Sequence, residues 1–125
     1  MITQALTALG ITEWVLRGTP TTEAEFLTMF SKVIGADSNG TAIESTDPAD
    51  WGFNVADVFA KAAELEAVEP LRLLRAERDR LIAETDWWAS SDLTMTPEQS
   101  AYRQALRDIT NSYTSLDDVV WPVKP

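Results

Sequence analysis

The chain has 125 residues, with 20 acidic side chains against 10 basic ones, a net charge of −10, and no cysteine or histidine. That inventory excludes disulfides, thiolate chemistry, zinc sites built on Cys or His, and any Ser-His-Asp triad, and it removes the commonest general base near neutral pH. No apolar run approaches the ~18 residues of a membrane span and the N-terminus lacks a signal-like pattern, so a soluble, unprocessed chain of one domain, or of one domain with a small appendage, is expected.

Residues 2–9 predict a short helix ended by Gly10. Trp14, Val15 and Leu16 favour a strand within 11–17, and Gly18-Thr19-Pro20 is a turn signal. Thr22-Glu23-Ala24-Glu25 reads as a capping box. Phe26, Leu27, Met29, Phe30, Val33 and Ile34 then follow one helical face, with Gly35 placed to end it. The competing reading is a strand over 26–34 that turns at Asp37-Ser38-Asn39-Gly40 into Thr41-Ala42-Ile43, because Asn-Gly is a strong hairpin signal. The helix is the reading adopted for 24–35.

Residues 44–54 read as a loop carrying Trp51 and Phe53. A helix is expected over 55–68, with Val58, Phe59, Ala62 and Leu65 inward. Pro70 lacks an amide hydrogen and disfavours helical angles at Glu69, so a kink or break is expected there. The next helix, 71–85, has Leu71, Leu74, Leu81 and Ile82 on its apolar side. Arg75–Asp79 and Arg80–Glu84 are candidate i,i+4 pairs, each worth a few tenths of a kcal/mol. Arg78 interrupts the heptad spacing, which argues against a long coiled coil. Thr96-Pro97-Glu98-Gln99 is a second capping box with proline at the first helical position. Tyr102, Ala105, Leu106 and Ile109 give that helix its apolar face. An extended tail follows, with Trp121 between Val120 and Pro122.

Together these elements predict a mostly helical α+β protein. An acidic region, 1–69, holds a small strand element, with 11 acids against 3 bases (−8). A helical module, 70–125, holds 9 acids against 7 bases (−2). A central helix bent near Pro70 links them, and the chain closes on a C-terminal helix plus extended tail.

Few residues suggest chemistry. Asp37 to Thr41 and Asp47 to Asp50 lack the ligand spacing of an EF-hand and read as turns. Asp117-Asp118 are adjacent in an extended segment and point to opposite faces. The arginine run 72–80 sits in an acidic chain, which disfavours nucleic acid. Neither a metal nor a cofactor is expected. A carboxylate-dependent hydrolase using Asp117 with Asp118, or Asp47 with Asp50, remains a remote alternative. Arg103 and Arg107 lie at i,i+4, where like charges repel unless anions meet them. Internal partners such as Asp86, Asp92 or the terminal carboxylate are favoured over an acidic surface on another protein. Trp87 and Trp88 lie about 100° apart on any helix, so one of the two is a candidate to face a partner.

Residues 73–125 resemble the phage tail assembly chaperone family, the tail fibre assembly proteins. The resemblance rests on an ordered set: the arginine-rich helix leading to Thr85-Asp86-Trp87, Pro97 before a helix, Tyr-Arg-Gln-Ala-Leu-Arg-Asp at 102–108, and Trp-Pro-Val-Lys-Pro at 121–125. The second tryptophan at 88 and Thr110-Asn111 after Ile109 depart from the family pattern. The resemblance implies a non-enzymatic tail or tail-fibre assembly factor, with a permanent tail or baseplate component of the virion as the alternative. It implies a fibre or other tail protein as partner and no nucleic acid or membrane, and it leaves homo-oligomers open. The implied location is the host cytoplasm during assembly, or the virion tail. The implied contact set is Trp87, Trp88, Tyr102, Arg103, Arg107 and Trp121.

Overall fold

A computed structural model describes all residues from Met1 to Pro125. The chain divides into two compact units, Met1–Glu66 and Ala67–Pro125.

In the N-terminal unit, α1 (Ile2–Ala8) stops where Gly10 adopts φ +73°, a left-handed conformation that glycine takes without a Cβ penalty. The amides of Gly10 and Ile11 donate to the carbonyls of Thr7 and Leu6, the paired bonds of a Schellman ending. β1 (Trp14–Leu16) follows. α2 (Glu23–Met29) is capped by the Thr22 hydroxyl, which accepts from the Glu25 amide at 3.1 Å. The reciprocal arm of the box is displaced by one residue, because the Glu25 carboxylate accepts from the amide and hydroxyl of Thr21. Those donors hold the Glu25 carboxyl below its ordinary range.

The single helix expected over 24–35 is overturned in its second half. α2 ends at Met29, and β2 (Phe30–Ala36) begins without a loop. β2 is the centre of a three-stranded antiparallel sheet, flanked by β1 and by β3 (Ala42–Ser45). Pairing on both sides of Phe30–Ala36 outweighs a helical period that continues only in the pattern of side chains. Phe26 and Phe30 are buried, whereas Leu27 and Ile34, from the same presumed helical face, are exposed. The Asn39-Gly40 hairpin forms instead: Gly40 takes φ +78°, and Asp37 Oδ1 accepts from the amides of Asn39 and Thr41. A bulge separates Val33 from Gly35. Across the sheet, Arg17 makes a two-pronged bond to Glu44 (2.9 and 3.0 Å), and the buried Ser31 hydroxyl donates to the same carboxylate at 2.5 Å.

The core of this unit is aromatic. Phe26 stacks on Phe30 at 4.8 Å between centroids, and Trp51 meets Phe30 edge-on at 4.8 Å. The Trp51 indole N–H donates to the Ser45 carbonyl at 3.0 Å, so burial leaves no orphan donor. Trp51 arrives from a 3-10 turn, Pro48–Asp50, that Asp47 caps.

α3 (Val55–Glu84) is one helix of 30 residues with Pro70 inside it, so of the kink or break expected there the break does not occur. A proline removes one amide, here the donor to the Glu66 carbonyl, and the flanking turns keep the other bonds. Val58 and Ala62 are buried as expected, and so is Leu74. On its surface Arg80 pairs with Glu84 (3.3 Å) and more closely with Glu77 (2.7 Å). Asp79 is taken by Arg78 rather than by Arg75. After a 3-10 turn, Asp86–Ala89, α4 (Pro97–Arg107) starts in the full Thr96/Gln99 capping box. Its buried face is Tyr102, Arg103 and Leu106. Ala105, expected inward, is exposed, because the packed face is turned toward Arg103 on the other flank of Tyr102 and Leu106. A 3-10 turn, Ile109–Asn111, ends the regular structure; Asp117 and Asp118, expected in an extended segment, lie in a turn at 116–118, and the irregular tail follows.

Candidate functional site

The motif residues of the C-terminal unit converge where α3 ends. The last carbonyls of a helix have no donor within it, and here Arg103 supplies one from α4. Its guanidinium donates to the Ile82 carbonyl (3.1 Å), the Thr85 hydroxyl (2.8 Å) and Asp86 Oδ1 (3.0 Å). Thr85 is fully buried and donates its own hydroxyl hydrogen to the Ile82 carbonyl. Arg103 is 6% exposed, so a charged fork inside the fold has every bond it needs at the turn. This settles the internal partner of Arg103 as Asp86; Asp92 and the chain terminus are not used.

The locked turn sets the two tryptophans on opposite sides. Trp88 is 4% exposed and packs with Tyr102 and Leu106, its ring 6.0 Å from that of Tyr102. Trp87 stands edge-on to Trp88 at 6.2 Å and is 63% exposed. Trp121 of the tail, half-buried, packs against the same cluster from outside. Thus Trp87 is the outward member of the pair.

Five of the six expected contact residues therefore gather at one place, but they do not play one part. Trp88, Tyr102 and Arg103 are sealed beneath the surface. Trp87 and part of Trp121 are accessible. Arg107 lies one turn beyond Arg103 on α4, exposed, and joins none of the protein's ion pairs. Two participants went unassigned in the sequence. Lys124 reaches Glu84 at 2.8 Å and lies 5.9 Å from the centroid of the Trp88 ring. Thr85 ties the turn to Arg103. Both stand inside the quoted motifs, so their types were visible but their partners, 40 and 18 residues away, were not. The Lys124 ammonium, with Arg80 behind it, holds the Glu84 carboxyl below the ordinary range.

Of the four carboxylates considered for hydrolysis, three are occupied locally. Asp47 accepts from the Ala49 amide, Asp50 from the Ser45 hydroxyl, and Asp118 from the Ser115 hydroxyl. These are turn caps rather than two carboxyl groups converging on a substrate.

Residues 71–125 match the sequence model of the phage tail assembly chaperone protein family, nearly the whole of the C-terminal unit. The resemblance carried by the Thr-Asp-Trp, Tyr-Arg-Gln-Ala-Leu-Arg-Asp and Trp-Pro-Val-Lys-Pro elements is borne out by that match. No curated protein and no solved structure gives a match to the chain. That match supports a part in phage tail assembly.

Proposed function

We propose that the protein is a non-enzymatic tail assembly factor that docks a tail-fibre or other tail protein on its C-terminal unit while the tail is built in the host cytoplasm. The observation that carries this reading is the exposed indole of Trp87 on a turn that buried Arg103 locks, within the segment that matches the chaperone family. A rigid, exposed tryptophan is a typical interface anchor, because it brings a large apolar area at low entropic cost. Arg107 supplies the second contact. It is an exposed cation without an internal anion, which suits a carboxylate on the partner. Trp88, Tyr102 and Arg103 form the frame behind these contacts, and Trp121 forms their edge. Growing tail proteins expose apolar surface and unpaired strand edges that aggregate, and a small acidic partner covers them without precipitating.

The test is copurification with the tail proteins encoded beside it, comparing Trp87→Ala and Arg107→Glu with the parent chain. Both variants should fold normally and lose the partner. Retention of every tail protein by the double variant would end this reading. Mass spectrometry of purified virions then separates a transient chaperone, absent from the particle, from a permanent tail or baseplate component.

A further inference from the structure

The tail is attached to the C-terminal unit in a way that marks it as a ligand rather than as a structural element. From Val119 to Pro125 no backbone group hydrogen-bonds within the protein. Its hold consists of side chains alone: the half-buried Trp121 ring on the Trp88 cluster, and the Lys124 ammonium at a seat made of a carboxylate and an indole face. Val120 and Val123 point away, 69% and 91% exposed. Pro122 fixes its own φ and offers no amide hydrogen, so the segment joins no ladder, and proline-stiffened segments of this kind dock on aromatic grooves at small entropic cost.

We infer that Trp88, Tyr102 and Leu106 floor a peptide-binding groove for an extended partner segment that carries an aromatic ring and, three residues on, a cation, and that residues 119–125 fill this groove as a displaceable internal ligand. The occupant defines the chemistry. The apolar floor takes the ring. The Glu84 carboxylate, 2.8 Å from the Lys124 nitrogen, takes the cation with help from the Trp88 ring, and an acidic group there would be repelled. The internal pair of contacts is weak enough to yield. Both members of the Lys124–Glu84 pair are over 40% exposed, and exposed pairs hold little. Displacement would uncover Trp88 and Tyr102, so motif residues that are sealed in the closed form become contact residues in the open one. The inference deepens the docking reading and rests on it for its place in tail assembly, while the groove itself is tested without any viral partner.

The probe is a labelled synthetic peptide, Val119 to Pro125, followed by fluorescence anisotropy. A chain truncated after Asp118 should bind it. The full chain should bind at least about tenfold more weakly, because its own tail competes at millimolar effective concentration. Peptides carrying Trp121→Ala or Lys124→Glu should lose roughly tenfold or more. If truncation unfolds the chain, full-length Trp121→Ala, which keeps the tail but empties the floor, must take the peptide. Failure of both chains to bind, or to fold, overturns the inference and makes the tail a fixed part of the core. A full chain that dimerises with concentration, and stops doing so on truncation, also overturns it, since the occupant is then a second copy. Peptide failure with partner loss intact in Trp87→Ala sinks only the groove; peptide binding with partner retained in Trp87→Ala and Arg107→Glu sinks only the docking reading.

Discussion

In the N-terminal unit the rings of Phe26, Phe30, Trp51, Phe53 and Phe59 pack against one another, and Trp51, the one with a polar atom, bonds a backbone carbonyl. In the C-terminal unit Trp88 and Tyr102 are buried, but Trp87 stands in solvent, Trp121 lies half outside, and two cations hold the arrangement: Arg103 beneath the turn and Lys124 above the Trp88 ring. Aromatic side chains alone do not distinguish a core from a docking surface. The difference lies in what finishes the cluster. Where carbon surrounds carbon, burial is the purpose. Where charged groups fix the rings at an open edge, an indole is left in solvent.

The sharpest way to break this contrast is to truncate one ring on each side of it. Phe30→Ala, in the centre of the first cluster, should cost about 3–5 kcal/mol, the usual loss for deleting a buried aromatic. Trp88→Ala should cost a similar ~3–5 kcal/mol in the second. Trp87→Ala, one residue away, should change stability by under about 0.5 kcal/mol. Urea denaturation followed by circular dichroism measures all three. A large loss from Trp87→Ala would return that indole to the core and remove the open edge.

This neighbour contrast also shows what was legible in the sequence. Helical periodicity gave α1, α4 and both halves of α3, because each of these elements satisfies its backbone locally. The Thr96/Gln99 box was readable to the atom, since a cap is a contact between residues three apart. Residues 30–36 were not readable, because strand pairing with residues 14–16 and 42–45 decides them and the apolar pattern there fits a helix equally well. At Pro70 the sequence leaves a kink and a break both open, and the helix runs through, sustained by the turns around the missing amide. At the site, residue types were legible while facing was not. Nothing local says that Trp87 points out and Trp88 in. That choice is made by Arg103, 17 residues past Asp86.

Removing that choice is the next test. Arg103→Ala takes from the buried Thr85 hydroxyl its only outside donor and empties a sealed site, and should cost about 1–3 kcal/mol. Arg103→Lys should recover only part, since an ammonium cannot reproduce the planar fork to three acceptors. Partner capture should fall more in Arg103→Lys than its stability loss accounts for, if the guanidinium sets the position of Trp87. Thr96→Ala serves as the control. It removes a cap at the far end of α4 and should cost about 1 kcal/mol, with capture unchanged. Calorimetric melting and copurification read both quantities on the same samples.

The smallest effect expected is on pH dependence, and it separates the units by a different route. Glu44 is held below its ordinary pKa of 4.5 by the Arg17 guanidinium first and the Ser31 hydroxyl second. Glu84 is held below the same value by Lys124 first and Arg80 after it. A carboxyl whose folded pKa is depressed contributes stability that is fully present above the unfolded value and is lost as pH falls through the folded one. Neither contribution therefore varies between pH 6 and 8, and both fade below about pH 4.5. Their consequences differ. Protonating Glu44 loosens a sheet that its other strand pairs and the aromatic core still hold in register, so the first unit should lose stability with little change in shape. Protonating Glu84 removes the only ion pair of the tail, so Trp121 should become more exposed before the second unit unfolds. Its fluorescence should shift to the red ahead of the loss of helical ellipticity, and Lys124→Gln should show that shift already at pH 7. Coincident transitions in both signals would mean that the tail is held as firmly as the helices beneath it.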